Sequence, residues 1–297
     1  MDLRVLNDII LPTIIDIDQG TRNKILKVEN TLGFMKTTIY FFTGTGNSLK
    51  IAKTIVKKLE NCELIPIAKV WQREDIESTS ESIGFVFPLY YAGLPKIVYN
   101  FIEKINLSKS EFFFTVVTSA GDITELPLQQ VETILSSKLK SLNAGFLITM
   151  PNNYIIGFDI HSEKRQKEFF EKADEQVELI SKMVNSKENN LTQDIFEKDL
   201  SRRNRFNKKF REVVNESDKA FYSDDNCTSC GVCKEVCPVK NIILVEGIPQ
   251  WHHKCQQCLA CINFCPERSI QFDDKTLTTG RYHHPEIALQ EIKNQKA

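Results

Sequence analysis

The chain contains no apolar run long enough to cross a bilayer. Its longest near the start, Ile9 to Ile15, holds a proline and lies between Asp8 and Asp16, so no membrane insertion is expected. A basic leading region is also missing, and nothing at the N-terminus resembles a secretory signal. A disulfide framework is therefore a poor account of the nine cysteines. Charge of one sign is not in excess either. A net charge of -1 gives no general argument for nucleic acid or an anionic membrane as partner. No Gly-Lys-Ser/Thr closes a Walker loop. A dinucleotide fingerprint beginning at Gly44-x-Gly46 would need a third glycine where Leu49 stands. No paired carboxylates, nucleophile elbow or nicotinamide fingerprint stands out.

Cysteine, by contrast, is arranged with strict order. The first run is Cys227-Thr-Ser-Cys230-Gly-Val-Cys233-Lys-Glu-Val-Cys237-Pro238, and the second is Cys255-Gln-Gln-Cys258-Leu-Ala-Cys261-Ile-Asn-Phe-Cys265-Pro266. Both read C-x2-C-x2-C-x3-C-P. All four cysteines recur at an offset of 28 residues, as do Ile242 and Ile270, which makes this an internal repeat. Paired C-x2-C also builds zinc sites, but a triplet plus a separate Cys-Pro, twice over, suits them poorly. The pattern resembles the run by which bacterial two-cluster ferredoxins hold 4Fe-4S clusters. That resemblance implies swapped ligation. Cluster one takes Cys227, Cys230, Cys233 and Cys265; cluster two takes Cys255, Cys258, Cys261 and Cys237. Gly231 permits a tight backbone turn, and Pro238 and Pro266 stop the local helices. A reducing, oxygen-poor cytoplasm, as in an anaerobe, is the expected setting for eight cluster thiolates.

Upstream, Thr37 to Phe42 reads as a buried strand. Thr43-Gly44-Thr45-Gly46-Asn47-Ser48 follows, then helical periodicity from Leu49 to Leu59. Strand, hydroxyl-and-glycine loop and helix form an anion-binding arrangement. The loop is similar to the [ST]-x-T-G-x-[ST] phosphate loop of flavodoxins, and Ala52 also matches, which implies FMN. Two further strands, Ser82 to Phe87 and Glu111 to Thr118, run into the loops Pro88 to Pro95 and Ser119-Ala120-Gly121-Asp122. Ligands of open parallel sheets bind at such strand ends. In flavodoxins the corresponding loops enclose the isoalloxazine ring, which assigns Tyr90, Tyr91, Ala92, Gly93, Ser119, Ala120, Gly121 and Asp122 to the flavin site. Either tyrosine offers a stacking face; plain packing is the alternative. With Glu63 to Ile67 and Leu142 to Met150, five strands alternate with helices (Lys96 to Ile105 and Leu128 to Leu142 among them). The expected fold is α/β, a flavodoxin-like doubly wound five-stranded parallel sheet of order 2-1-3-4-5, followed by a helical linker and a small α+β ferredoxin domain.

Boundaries follow from these elements: residues 1–34 a leader, 35–158 the flavodoxin-like domain, 159–222 a helical linker, 223–275 the ferredoxin domain and 276–297 a tail. Met35 opens a natural domain start, so the leader is either upstream sequence or an arm docked on the surface. Cys62 reads as a small buried hydrophobe. In the linker, one amphipathic helix is expected over His161 to Asn185. A second is expected over Ile195 to Phe221, with Phe196, Leu200, Phe206, Phe210, Val213 and Val214 inward. Its other face carries Arg202, Arg203, Arg205, Lys208, Lys209 and Arg211, either a solvated surface or a docking patch for an acidic protein; no nucleic-acid motif accompanies it. These helices should pack the ferredoxin domain against the sheet's C-terminal edge. The pairs His252-His253 and His283-His284 read as solvent-facing or locally bonded.

Together, Thr43 to Ser48, Pro88 to Pro95, Met150-Pro-Asn-Asn-Tyr154, Trp251, Arg281-Tyr-His-His-Pro285 and both cysteine runs resemble the EFR family of ferredoxin fusions over about Met35 to Pro285. The resemblance implies an iron-sulfur flavoprotein electron carrier with two 4Fe-4S clusters and FMN, served by a redox partner such as a low-potential ferredoxin or an oxidoreductase. An FMN-dependent reductase of a quinone or disulfide, and a plain ferredoxin with an empty docking domain, are the alternatives. Oligomeric state is not legible.

Overall fold

The computed structural model describes residues 36–121 and 124–296. The expectations for residues 1–34, for Met35 as a start and for Asp122 lie outside the described residues.

Strand β1 (Thr37–Phe41) is buried at every position, as its β-branched and aromatic run requires of a central parallel strand. Around it stand β2 (Cys62–Pro66), β3 (Ser82–Pro88), β4 (Phe112–Ser119) and β5 (Ala144–Thr149). Among the described residues they form a parallel five-stranded sheet of order β2-β1-β3-β4-β5. The reversal of order falls between β1 and β3, so the loops after these two strands open a crevice at the sheet's C-terminal edge. Between the strands run α1 (Asn47–Val56), the short α2 (Ile67–Val70), α3 (Lys96–Lys104) and α4 (Leu126–Ser136), the last with a proline in its first turn. Cys62 is half-buried at the start of β2, where burial pushes its thiol up to about 12.

The linker departs from expectation. Helix α5 (Glu163–Asn185) is continuous, capped by Ser162, and buries Phe169, Ala173, Val177 and Ile180. It packs chiefly on α1 and β5. The second expected helix is broken into α6 (Gln193–Glu197), α7 (Ser201–Val213) and a 3-10 turn over Val214–Ala220. At the break, the Asp199 carboxylate accepts a hydrogen bond from Ser201 N at 3.0 Å, a local bond that competes with helix continuation. The buried face of α7 is Asn207 and Phe210, with Val214 just beyond, while Phe206 and Val213 are exposed. Asn207 earns its place by full satisfaction. Its amide donates to Tyr90 O (2.9 Å) and Leu94 O (3.2 Å), and its carbonyl accepts from Gln130 and Arg211.

In the cysteine-rich region the repeat is visible in the backbone. Helices α8 (Val232–Val236) and α9 (Ala260–Asn263) stand 28 residues apart, entered through left-handed Gly231 (φ 76°) and Leu259 (φ 59°). The flanking strands are β6 (Phe221–Ser223), β7 (Ile242–Val245), β8 (Ile248–Trp251) and β9 (Ile270–Phe272). β6 pairs with β9 and β7 with β8, both antiparallel. A short helix, α10 (Leu289–Lys293), lies in the C-terminal tail.

This region and the sheet belong to one compact unit. Ile262 and Leu259 share a hydrophobic cluster with Phe85 and Phe87; Phe264 and Ile287 share another with Ile39 and Ile51. The backbones approach closest at Gly44, where a Cβ would lie 2.2 Å from the Cys258 carbonyl oxygen, so only glycine fits. The tail closes the contact: Tyr282 Oη donates to Asn47 Oδ1 (2.6 Å), and His284 N donates to Thr45 O (2.8 Å).

Candidate functional site

The loop after β1 folds on its own hydroxyls. Thr43 Oγ1 accepts from Gly46 N (3.0 Å) and Thr45 Oγ1 accepts from Asn153 Nδ2 (2.9 Å), so each hydroxyl proton is left to donate elsewhere. Ser48 Oγ pairs with Thr118 Oγ1 at 2.7 Å. Gly46 is left-handed (φ 105°) at the start of α1 and no side chain caps the helix, so its first-turn N–H groups face the loop. These features suit a phosphate.

The loop opens into a cavity of about 820 Å3. Its walls combine Thr43, Gly44, Thr45, Asn47 and Ser48 with Tyr90 and Tyr91, with Ser119, Ala120 and Gly121, and with Pro151 to Tyr154. Three of the expected site residues lie elsewhere. Gly46 faces His284 and Ile287 of the tail. Ala92 and Gly93 complete a tight turn, Tyr90 and Gly93 exchanging two backbone hydrogen bonds of 3.0 Å across left-handed Tyr91 (φ 48°) and Ala92 (φ 65°). Positive φ at both central positions is the type I′ geometry, which aims Tyr91 into the cavity at the cost of non-glycine strain.

Sequence reasoning missed several lining residues. Phe206 and Phe210 come from α7, and Tyr91 stacks on Phe210 (4.0 Å, 12°) while its hydroxyl meets Tyr154 Oη at 2.8 Å. His161, its pKa lowered by burial and by Arg165, accepts from Asn152 N through Nδ1. Gln257, Cys258 and Leu259 complete the wall. Phe206 had a signal, an aromatic at an otherwise basic, exposed helix surface. The contribution of 257–259 had none, because it depends on how the two halves dock.

Two smaller cavities lie in the cysteine repeat. One is ringed by Cys227, Cys230, Cys233 and Cys265, the other by Cys237, Cys255, Cys258 and Cys261. All nine cysteines are free. Among the described residues no three His, Cys, Asp or Glu side chains converge as a single metal ion would require. Four thiols spread around a cavity suit a polynuclear cluster better than a lone zinc. Burial pushes Cys233 up to about 11 and Cys255 up to about 12, and raises Cys237, Cys258 and Cys261 as well. Backbone N–H groups of Asn241 and Gln257 already point at Cys237 Sγ and Cys255 Sγ, each at 3.2 Å. Trp251 Nε1, a donor only, is buried without a partner, and its side chain lines the second cavity. An acceptor-rich sulfur cluster fits such a surround.

The family description "Flavodoxin domain" matches residues 38–151, and "4Fe-4S dicluster domain" matches residues 219–266. The chain is a flavodoxin domain followed by a 4Fe-4S dicluster domain. No curated protein matches it. A solved structure from Bacteroides uniformis, described provisionally as a flavoprotein, is similar at 17% identity over 38% of this chain and 90% of its own, with a TM-score of 0.31, too slight a likeness to carry an argument.

In this fusion the two kinds of cavity share a wall. Cys258 and Leu259 line both the large cavity of the flavodoxin domain and the inner cysteine cavity of the dicluster domain. At the outer cysteine cavity Cys230 is exposed and Cys227 and Cys265 partly so, whereas no cysteine of the inner cavity is exposed. The histidine pairs are locally engaged: His253 Nδ1 meets the buried Asp218 carboxylate at 2.7 Å, and His283 stacks on Phe264. Arg202, Arg203, Arg205, Lys208 and Lys209 lie on the exposed face of α7, whereas Arg211 covers the Tyr99 ring at 3.6 Å. Among the described residues no helix is long and apolar enough to cross a membrane.

Proposed function

We propose that the protein is an iron-sulfur flavoprotein electron carrier, holding two 4Fe-4S clusters and one FMN and relaying electrons among them within one molecule. The observation that carries this reading is the wall common to the flavodoxin cavity and the inner cysteine cavity, formed by Cys258 and Leu259. When bound, the clusters exchange single electrons and FMN exchanges one or two, so the assembly converts between the two modes. The chain supplies position and environment. Thr43, Thr45 and the uncapped start of α1 would hold the phosphate, and Tyr90, Tyr91 and the Ser119–Gly121 backbone would flank the ring. Cys227, Cys230, Cys233 and Cys265 would hold the outer cluster, and Cys255, Cys258, Cys261 and Cys237 the inner one. The exposure of Cys230 favours the outer cluster as the station that meets a redox partner protein, and the basic face of α7 favours an acidic one.

A second reading, a flavin-dependent reductase of a small oxidant, is favoured by the mouth of the large cavity. Phe158 and Phe206 stand there 72% and 56% exposed, apolar surface that a flat acceptor would cover. Purification and reconstitution without oxygen tests the first reading: eight irons, eight inorganic sulfides and one FMN per chain are expected. Bound zinc, or a flavin spectrum that never develops with excess FMN, would contradict it.

A further inference from the structure

The half-buried Trp251 lines the inner cysteine cavity with Cys237, Cys255, Cys258 and Cys261, and takes no part in the walls of the flavodoxin cavity. Its Nε1 is enclosed and has no hydrogen-bond partner. An indole nitrogen can only donate, and native folds rarely leave a buried donor unpaired, because its desolvation then goes uncompensated. The ring is not free to turn away. Trp251 pairs with Ile242 across the β7–β8 ladder, and its indole stacks on Phe221 at 5.7 Å and 19°. Phe221 is held edge-on by Phe272 at 5.0 Å.

The cysteine repeat supplies a comparison within the same chain. A shift of 28 residues carries Ile242 onto Ile270 and, in the other direction, Trp251 onto Ser223. Ser223 pairs with Ile270 just as Trp251 pairs with Ile242. Ile242 lines the inner cavity and Ile270 the outer one, yet Ser223 is not among the residues around the outer cavity. The same ladder position therefore carries an indole N–H in the inner half only. The outer half has a different side-chain donor: Ser269 Oγ lies 3.3 Å from Cys265 Sγ. Its counterpart in the repeat is Asn241, whose Nδ2 donates to Asp218 at 2.8 Å instead.

We propose that Trp251 Nε1–H donates a hydrogen bond to a sulfur of the inner cluster and so raises that cluster's reduction potential. This rests on the two-cluster reading above. Reduction adds one electron, delivered by a reduced partner, and the indole keeps its proton in both states. The added negative charge spreads onto sulfur, and a fixed donor stabilises the more negative state more. Cys230 of the outer set is exposed, whereas no cysteine of the inner set is. Withdrawal from water disfavours the more highly charged, reduced state. Trp251 offsets that loss and keeps the inner cluster able to accept an electron from the outer one. It is a tuning residue, not a ligand.

The test is a redox titration, followed by electron paramagnetic resonance, of the full-length reconstituted protein and its Trp251→Phe variant. The inner cluster is identified as the one whose signal changes in a Cys261→Ser protein. Trp251→Phe keeps an aromatic ring against Phe221 and removes the N–H. The inner midpoint is expected to fall by about tenfold in the one-electron equilibrium, about 59 mV, with the outer midpoint unchanged. Replacing tryptophan by fluorotryptophan, which strengthens the indole as a donor, should move the inner midpoint upward, and this holds as a test even if Trp251→Phe loads poorly. An eight-iron Trp251→Phe protein whose inner midpoint stays or rises, or whose two midpoints move alike, overturns the assignment. So does a fluorotryptophan protein with an unmoved inner midpoint. A wild-type protein that never takes up eight irons overturns the two-cluster reading instead, and this assignment with it.

Discussion

Single residues fasten the tail to the phosphate loop, and His284 shows how. It is 1% exposed, its backbone donates to Thr45 O, and its Nδ1 accepts from Glu286 N at 3.2 Å. Nε2 is buried without a partner. Burial lowers its pKa to about 4, with Glu286 opposing and Lys50 and His283 assisting; the ring of Phe170 on α5 covers it at 4.6 Å. The unfolded chain takes up this proton near pH 6.5, the folded one only near about 4. The contribution of His284 to stability is thus complete above pH 6.5 and is lost as pH falls toward 4, up to about 3 kcal/mol. Thermal unfolding of wild type against His284→Asn should show a flatter acid slope in the variant across that window. Equal slopes would remove His284 from the docking account. None of this was legible in the sequence, where His283-His284 reads as a pair. Only the docked tail separates an exposed ring on Phe264 from a buried one on the loop.

At the scale of elements, legibility followed the range of the causes. The β/α alternation, the hydroxyl loop and the 28-residue cysteine repeat are local patterns, and sheet order and repeat geometry follow them. The face of α7 was misread because its inward anchor is Asn207, a polar residue satisfied by Tyr90, Leu94 and Gln130, partners far away in sequence. Apolar periodicity could not register it, and so assigned Phe206 to the core instead of the cavity mouth. The approach of the phosphate loop to the loop around Cys258 was likewise hidden, although Gly44 permits it. Gly44→Ala would push a methyl group into a backbone carbonyl and is expected to destabilise the unit by about 1–3 kcal/mol. Chemical unfolding followed by circular dichroism measures this. A neutral substitution would mean that the two loops are not held in contact.

At the scale of the whole molecule, the flavodoxin and dicluster domains have fused their hydrophobic clusters, and the long helix α5 braces the sheet instead of tethering a mobile module. Under the proposed reading, cofactors held in this one compact unit would exchange electrons within one chain rather than by collision. Cys230 of the outer cysteine cavity is exposed, no cysteine of the inner one is, and the flavodoxin cavity lies behind Cys258 and Leu259. This order predicts a relay in series. The most direct test is rapid mixing of the FMN-loaded, cluster-loaded protein with a reduced low-potential ferredoxin, recorded at cluster and flavin wavelengths. The account predicts that cluster absorbance bleaches first and flavin absorbance second, the second phase keeping one rate at every protein concentration. A flavin phase whose rate grows with protein concentration, or one that precedes cluster bleaching, would contradict it.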